Sequence, residues 1–282
     1  MSKQLIIISD MEGATGIFDH NASAKVHKSE LWWSYGRECI TSDVLAVCDA
    51  ANEFGIDEIL IYDGHYAGEA LPNIITEKLP RNAKLFDTED RCFDWRRIRG
   101  QAVQNPFGLI TVGQHARYGE EFAYFPHTIQ SPPIKKLILN GIHIAEIGQA
   151  VLSFQGVKYL ANIGCKASMR EAIELCSTVE TIPVKDKQNG WEPSKDETYG
   201  IIKRRVLSAL SNQEHANIVQ INEPYEFSME LMEGFIYDHA KRISWKGHFN
   251  NNIAYWESPS IEIGLEIFNH VRECITNKRN LL

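Results

Sequence analysis

No stretch of the sequence approaches eighteen consecutive apolar residues, so no segment reads as a membrane-spanning helix. The apolar run in "MSKQLIIISDMEG" is also too short for a signal peptide, and the expectation is a soluble, cytoplasmic protein. A basic stripe is lacking as well. Lys and Arg total 29 against 37 Asp and Glu, the net charge is −8, and the densest basic runs, "RRIRG" and "IKRRV", are short. That balance argues against nucleic acid or an anionic membrane as a partner. The six cysteines form no C-x-x-C and no close Cys/His pair, which argues against a structural zinc site or a disulfide framework and for buried reduced thiols. Cys165 is the exception, because it follows an apolar run at a strand end, where a nucleophile could sit. Internal repeats and low-complexity tracts are absent, and "GATG" after Glu12 lacks the G-x-G-x-x-G of a dinucleotide loop.

What is present is an alternation of two periodicities over 282 residues, enough for one large domain or two intertwined ones. "QLIIIS", "EILIYDGH", "AKLFD", "FGLITVGQHA", "KKLILNG" and "KYLANIG" read as strands. Between them, Ser29–Phe54 closed by Gly55, "LPNIITEKL", Ile142–Phe154 and Ser168–Cys176 read as helices. The fold class is α/β, a mainly parallel sheet covered by helices, with a second, smaller α+β domain. Residues 1–165 are expected to form the α/β domain and 166–282 the second, with intertwining left open. The second part carries a helix from about Pro193 to Ser211. It continues with antiparallel-looking segments ("ANIVQINE", "YEFSMEL", "RISWKG", "NIAYWES") and a helix from Pro259 to about Thr276.

The strand ends carry the chemistry. "IIISDME" ends in Asp10 and Glu12, "ILIYDGH" in Asp63 and His65, and "LITVGQH" in His115. Ligand crevices of open parallel sheets lie beyond the carboxyl ends of the strands, so these groups should converge. "GIHIAEIG" adds His143 and Glu146, three apart on one face of a predicted helix. Two acids one residue apart repel unless a cation or a shared proton intervenes. Carboxylates and imidazoles without thiolates suit zinc, manganese or a similar divalent ion. Two ions about 4 Å apart, bridged by Asp10 and completed by Glu12, His65, His115 and Glu146, would relieve the repulsion. His127, in "AYFPHTIQSPP", reads as an acid/base group over the metals or as a surface histidine, and Asp63 as an orienting acceptor for His65 or a turn cap.

"SDMEGATGI", "YDGH", "GQHAR", "PHT" and "AEIGQA" occur in an order and at spacings that resemble the M55 peptidases, and the likeness extends through "FIYDHAKRISWKG" and "SPSIEIGLEIF". The resemblance implies a sheet domain with a second domain, built into a ring-shaped homo-oligomer. It implies two zinc ions per subunit, held by Asp10, Glu12, His65, His115 and Glu146, with His127 at the active-site histidine position. The implied activity is aminopeptidase or amidase hydrolysis of short peptides or amides, with D-amino acids as candidate residues. The chain departs from the family at Gly164–Cys165–Lys166 and after Lys185 ("DKQNGWEP"), regions expected to shape the substrate pocket. Hydrolysis of an ester or phosphoester, or a non-catalytic metal-binding ring protein, are the alternatives.

Overall fold

The computed structural model describes residues 2–23, 29–65, 72–85, 106–129, 132–238 and 245–278. The first half runs through β1 (Gln4–Ser9), α1 (His20–Ser23), a π-helical turn at Trp32–Gly36, α2 (Arg37–Phe54), β2 (Glu58–Asp63), β3 (Ala83–Leu85) and β4 (Pro106–Gln114). A hairpin of β5 (Ile134–Leu139) and β6 (Ile142–Ile144) follows, then α3 (Glu146–Leu152), β7 (Tyr159–Cys165), α4 (Ser168–Leu175) and β8 (Glu180–Lys185). The remainder is α5 (Lys195–Ser211), β9 (Tyr225–Leu231), β10 (Phe235–Tyr237), β11 (Gly247–Asn250), β12 (Ile253–Ser258), α6 (Ile261–Glu273) and β13 (Ile275–Asn277). Cys92, the basic run at 96–100, the end of "AKLFD" and the first residues of "RISWKG" lie outside the described residues.

Six strands form one parallel sheet in the order β3-β2-β1-β4-β7-β8. Successive side chains of a strand point to opposite faces, and β1 uses both. Leu5 and Ile7 pack with Ile40 and Val44 of α2 and Ile202 and Val206 of α5. Ile6 and Ile8 pack on the other face with Ile147 of α3, Leu137 and Phe227 of the second sheet, and Phe268 of α6. Burial of each such aliphatic chain contributes about 1.5–3 kcal/mol, which anchors a strand whose end must carry two desolvated carboxylates. The chain builds outward from β1 to β3 on one side and from β4 to β8 on the other. The order therefore reverses between β1 and β4, and the crevice beyond their carboxyl ends is the ligand position of such sheets.

The second sheet, β11-β12-β9-β5-β6, is antiparallel, and β10 pairs with β13. The two sheets interleave along the chain. β5 and β6 leave from between β4 and β7 to join the second sheet, while β8 and α5, beyond residue 166, belong with the first.

Three local expectations change. Ile142–Ile144 is a strand, so the helix begins only at Glu146 and His143 does not share a helical face with it. The reason is the Asn140–Gly141 pair, both at positive φ, which makes a tight hairpin turn. "LPNIITEKL" gives only a 3-10 turn at Thr76–Lys78, and "ANIVQINE" gives a single bridge from Ile218 to Lys158 instead of a strand. The helix at 195–211 starts on a capping box between Ser194 and Glu197, and α2 ends on left-handed Gly55.

Two glycines let the ends of β1 and β4 meet. Gly113 sits at φ +74, and a Cβ on Gly13 would stand 1.9 Å from the carbonyl oxygen of Gln114. Main-chain bonds from Asp10 N to Val112 O and from Gly13 N to Gly113 O, both 2.8 Å, hold the approach. Gly13→Ala is expected to cost about 1–3 kcal/mol by overpacking, read as a lowered Tm. An unchanged Tm would mean the close approach is not required.

Candidate metal centre

Asp10 and Glu12 follow β1, His65 lies two residues beyond β2, His115 follows β4, and Glu146 opens α3. His127 arrives on the loop after β4, with its N–H bonded to the carbonyl of Ala116 at 3.2 Å. The structure brings all six side chains into one cluster. His65 Nε2 is 2.9 Å from Glu12 Oε1. His115 Nε2 is 3.4 Å from Asp10 Oδ2 and 3.2 Å from Glu146 Oε1. His127 Nε2 is 3.4 Å from the same Glu146 oxygen, and its ring stacks on His115 at 3.9 Å between centroids. Ligand atoms of Asp10, Glu12 and His115 lie within 4.8 Å of one another, as do those of His115, His127 and Glu146. Either trio could hold a metal ion.

Buried polar atoms are normally paired, so orphaned ones call for an explanation. Among the described residues, Asp10 Oδ2, Glu12 Oε2, His65 Nδ1, His115 Nε2 and both carboxylate oxygens of Glu146 have no hydrogen-bond partner. Their exposure is minimal, 6 % for Asp10, 4 % for Glu12 and 2 % for His115. The imidazole hydrogens point the right way for cation binding. His115 Nδ1–H donates to Ala116 O and His127 Nδ1–H to Phe125 O, both at 2.9 Å, which leaves each Nε2 as the ring nitrogen facing the cluster. Oxygen and imidazole donors in this number fit divalent zinc.

Without a cation the cluster holds its charge through protons. Burial, and then Glu12, push the Asp10 carboxyl up to about 8. Burial opposes charge on His65, but Glu12 outweighs it and lifts the imidazole to about 9. Burial likewise opposes charge on His115, and Glu146 and Asp10 lift it well above the ordinary histidine value. Burial would raise Glu12 and Glu146, yet His65 holds the first well below the usual range and His115 lowers the second. Burial and the neighbouring His115 lower His127. A metal held by these groups would displace the protons on Asp10, His65 and His115, so zinc affinity is expected to rise with pH through about 8 to about 9, with proton release. Chelator competition across that range checks this, and a flat profile would remove these groups from the ligand set.

The surrounding contacts define further roles. Asp63 makes no hydrogen bond to the His65 ring, whose Nδ1 has no partner and whose Nε2 meets Glu12. It accepts from Asn73 N at 2.5 Å and Asn73 Nδ2 at 2.9 Å, and the same amide donates to His65 O at 2.7 Å. Asn73 is fully buried and also accepts from Trp32 Nε1 at 2.9 Å. Neither Asn73 nor the fully buried Lys185 carries a sequence signal of its role, although "PVK" ending an apolar strand places a lysine at the sheet's carboxyl edge. Burial pulls the Lys185 ammonium down to about 8. His143 bonds Thr128 Oγ1 at 3.2 Å and belongs to neither trio. Cys165 is 2 % exposed and packs with Ala116 and Ala123. Arg117, two residues after His115 in sequence, is paired with Glu174 at 2.7 Å and Glu120 at 3.5 Å. Its charge is committed to carboxylates, which counts against a phosphate clamp.

Acids and imidazoles converging on the switch point of a parallel sheet, with unpaired buried donor atoms, have the make-up of a metal-dependent hydrolase site. Residues 4–263 match the model of the M55 peptidases, described as D-aminopeptidase, and the chain belongs to that family. It is a peptide hydrolase. A solved structure, "Zn-dependent D-aminopeptidase DppA from Bacillus subtilis, a self-compartmentalizing protease", shares the fold with a TM-score of 0.78. The match has 18% sequence identity and covers 96% of this chain and 97% of that one. No curated protein matches the sequence.

Proposed function

We propose that the protein is a dinuclear zinc aminopeptidase that releases N-terminal residues from short peptides or related amides. Asp10, Glu12, His65, His115 and Glu146 would hold the metals in this reading, and His127 exchanges protons with the reacting amide. The observation that carries it is the set of buried, partnerless atoms on Asp10, Glu12, His115 and Glu146 facing one space. When bound, two zinc ions would supply a nucleophile at neutral pH and polarise the amide carbonyl.

The residues do the rest. His127, fixed through Phe125 O, keeps an Nε2 lone pair 3.4 Å from Glu146, where it can take a proton and return it to the leaving amine. Main-chain bonds at Gly13 and Asp10 keep the acid pair rigid against β4. The Asn73 bridge holds the main chain at His65. Assembly as a ring-shaped homo-oligomer belongs to the same reading, supported by the self-compartmentalizing neighbour. So does a cytoplasmic location, supported by the buried thiols of Cys39, Cys48, Cys165 and Cys176. No helix among the described residues is long and apolar enough to cross a membrane.

The test is p-nitroaniline release from D-alanyl and L-alanyl p-nitroanilides after chelation and after zinc is restored. Zinc-dependent release is the expected result, and the D/L ratio assigns the stereochemical preference. No release of either, with two zinc ions bound, would overturn the aminopeptidase reading.

A further inference from the structure

Lys185 lies 173 residues from Glu12 in sequence, yet its Nζ donates to Glu12 O at 2.7 Å and to Ile17 O at 2.6 Å. Its side chain is fully buried. The ammonium also stands over three rings, 5.4 Å from the centroid of Phe18, 5.1 Å from Tyr124 and 5.9 Å from Phe125, within reach of cation–π attraction. Phe125 is the residue whose carbonyl fixes the His127 ring. One buried cation thus touches both the turn that carries Glu12 and the segment that orients His127.

We propose that Lys185 is a positioning residue that sets the Glu12 half of the metal centre and ties it to the His127 segment through its carbonyl and aromatic contacts. The inference rests on the metal-centre reading above. Two carbonyls gathered on one ammonium fix both ends of the 12–17 turn, while Asp43 Oδ2 accepts from Thr15 N at 2.9 Å in the middle. Without the ammonium, two main-chain oxygens lose charge-assisted bonds in a dry site. The turn then relaxes, and Glu12 with it.

Cobalt(II), whose visible absorption reports each bound equivalent, separates the outcomes. It is titrated into metal-free wild type, Lys185→Met, Glu12→Gln and the double variant. Lys185→Met is expected to keep one equivalent and to weaken the other about 10–100-fold, the range for outer partners of metal ligands. The double variant should bind no more weakly than Glu12→Gln alone. Additive losses, equal weakening of both equivalents as a merely structural role would give, or tighter binding from removal of a repelling charge would each overturn the proposal. Wild type that binds no cobalt would overturn the metal centre itself, whereas two equivalents bound alike by wild type and Lys185→Met would overturn only the role of Lys185. Should Lys185→Met not fold, Phe18→Leu, which removes one half-buried wall, is expected to weaken the same equivalent to a lesser degree. Unchanged binding there would also overturn it.

Discussion

Asp10→Asn is expected to abolish zinc-dependent peptide hydrolysis while making the metal-free chain harder to unfold at alkaline pH. Asparagine has the shape of aspartate without its charge, so packing is kept and the carboxylate proposed to hold the metals is lost. The fall in kcat/KM should exceed the roughly 10–100-fold typical of losing an outer partner of a ligand. The stability gain follows from linkage. Burial and the neighbouring Glu12 raise the Asp10 carboxyl from its ordinary 3.8 to about 8 in the folded chain. The folded state therefore holds an extra proton between those values. That stabilisation is complete below 3.8 and is lost as pH rises through 8, when a bare carboxylate must sit beside Glu12. Asparagine carries no such component. Calorimetry of both metal-free proteins should show the variant gaining on wild type toward pH 9, at about 2–4 °C per kcal/mol recovered. An Asp10→Asn protein that keeps two zinc ions and full turnover would remove Asp10 from the centre.

His127→Ala should separate chemistry from metal binding. The imidazole is lowered by burial and by His115, so it is neutral near pH 7, with Nδ1–H committed to Phe125 O and Nε2 free to accept. Loss of a general acid/base typically costs about 10²–10⁴ in kcat, and that is the effect expected, with both zinc ions retained. Metal analysis must accompany the kinetics, because His127 also stands within ligand distance of His115 and Glu146. Loss of one zinc equivalent would make His127 a ligand. Unchanged kcat would take it out of the reaction.

Much of the parallel sheet is legible along the chain because its cause is local. Runs such as "LIII" and "LITV" are too apolar for one-sided burial and therefore read as covered strands. Gly55 marks a helix end by backbone chemistry confined to one turn. The acids and histidines at the ends of β1, β2 and β4 are legible for the same reason, since a polar group that directly follows a buried strand has few places to go. The short strand at Ile142–Ile144 escaped that reading. Its apolar pattern suits a helix as well, and the Asn140–Gly141 turn decided the matter.

Other features depend on pairings that no local pattern encodes. The placement of β1 beside β4 turns three separate strand ends into one crevice. The passage of β5 and β6 into the second sheet positions α3 so that Glu146 meets His115 and His127. Asn73 and Lys185 have roles only because the chain returns to Asp63 and Glu12 from far along the sequence. The sequence by itself determined which residues could be buried, which could carry charge at strand ends, and which family the chain resembles, because these depend on side-chain chemistry and short-range periodicity. Tertiary structure alone decided which charges meet and which buried atoms lack a partner. Those outcomes depend on strand order and long-range packing, where desolvation and Coulomb interaction act across space without regard to sequence distance.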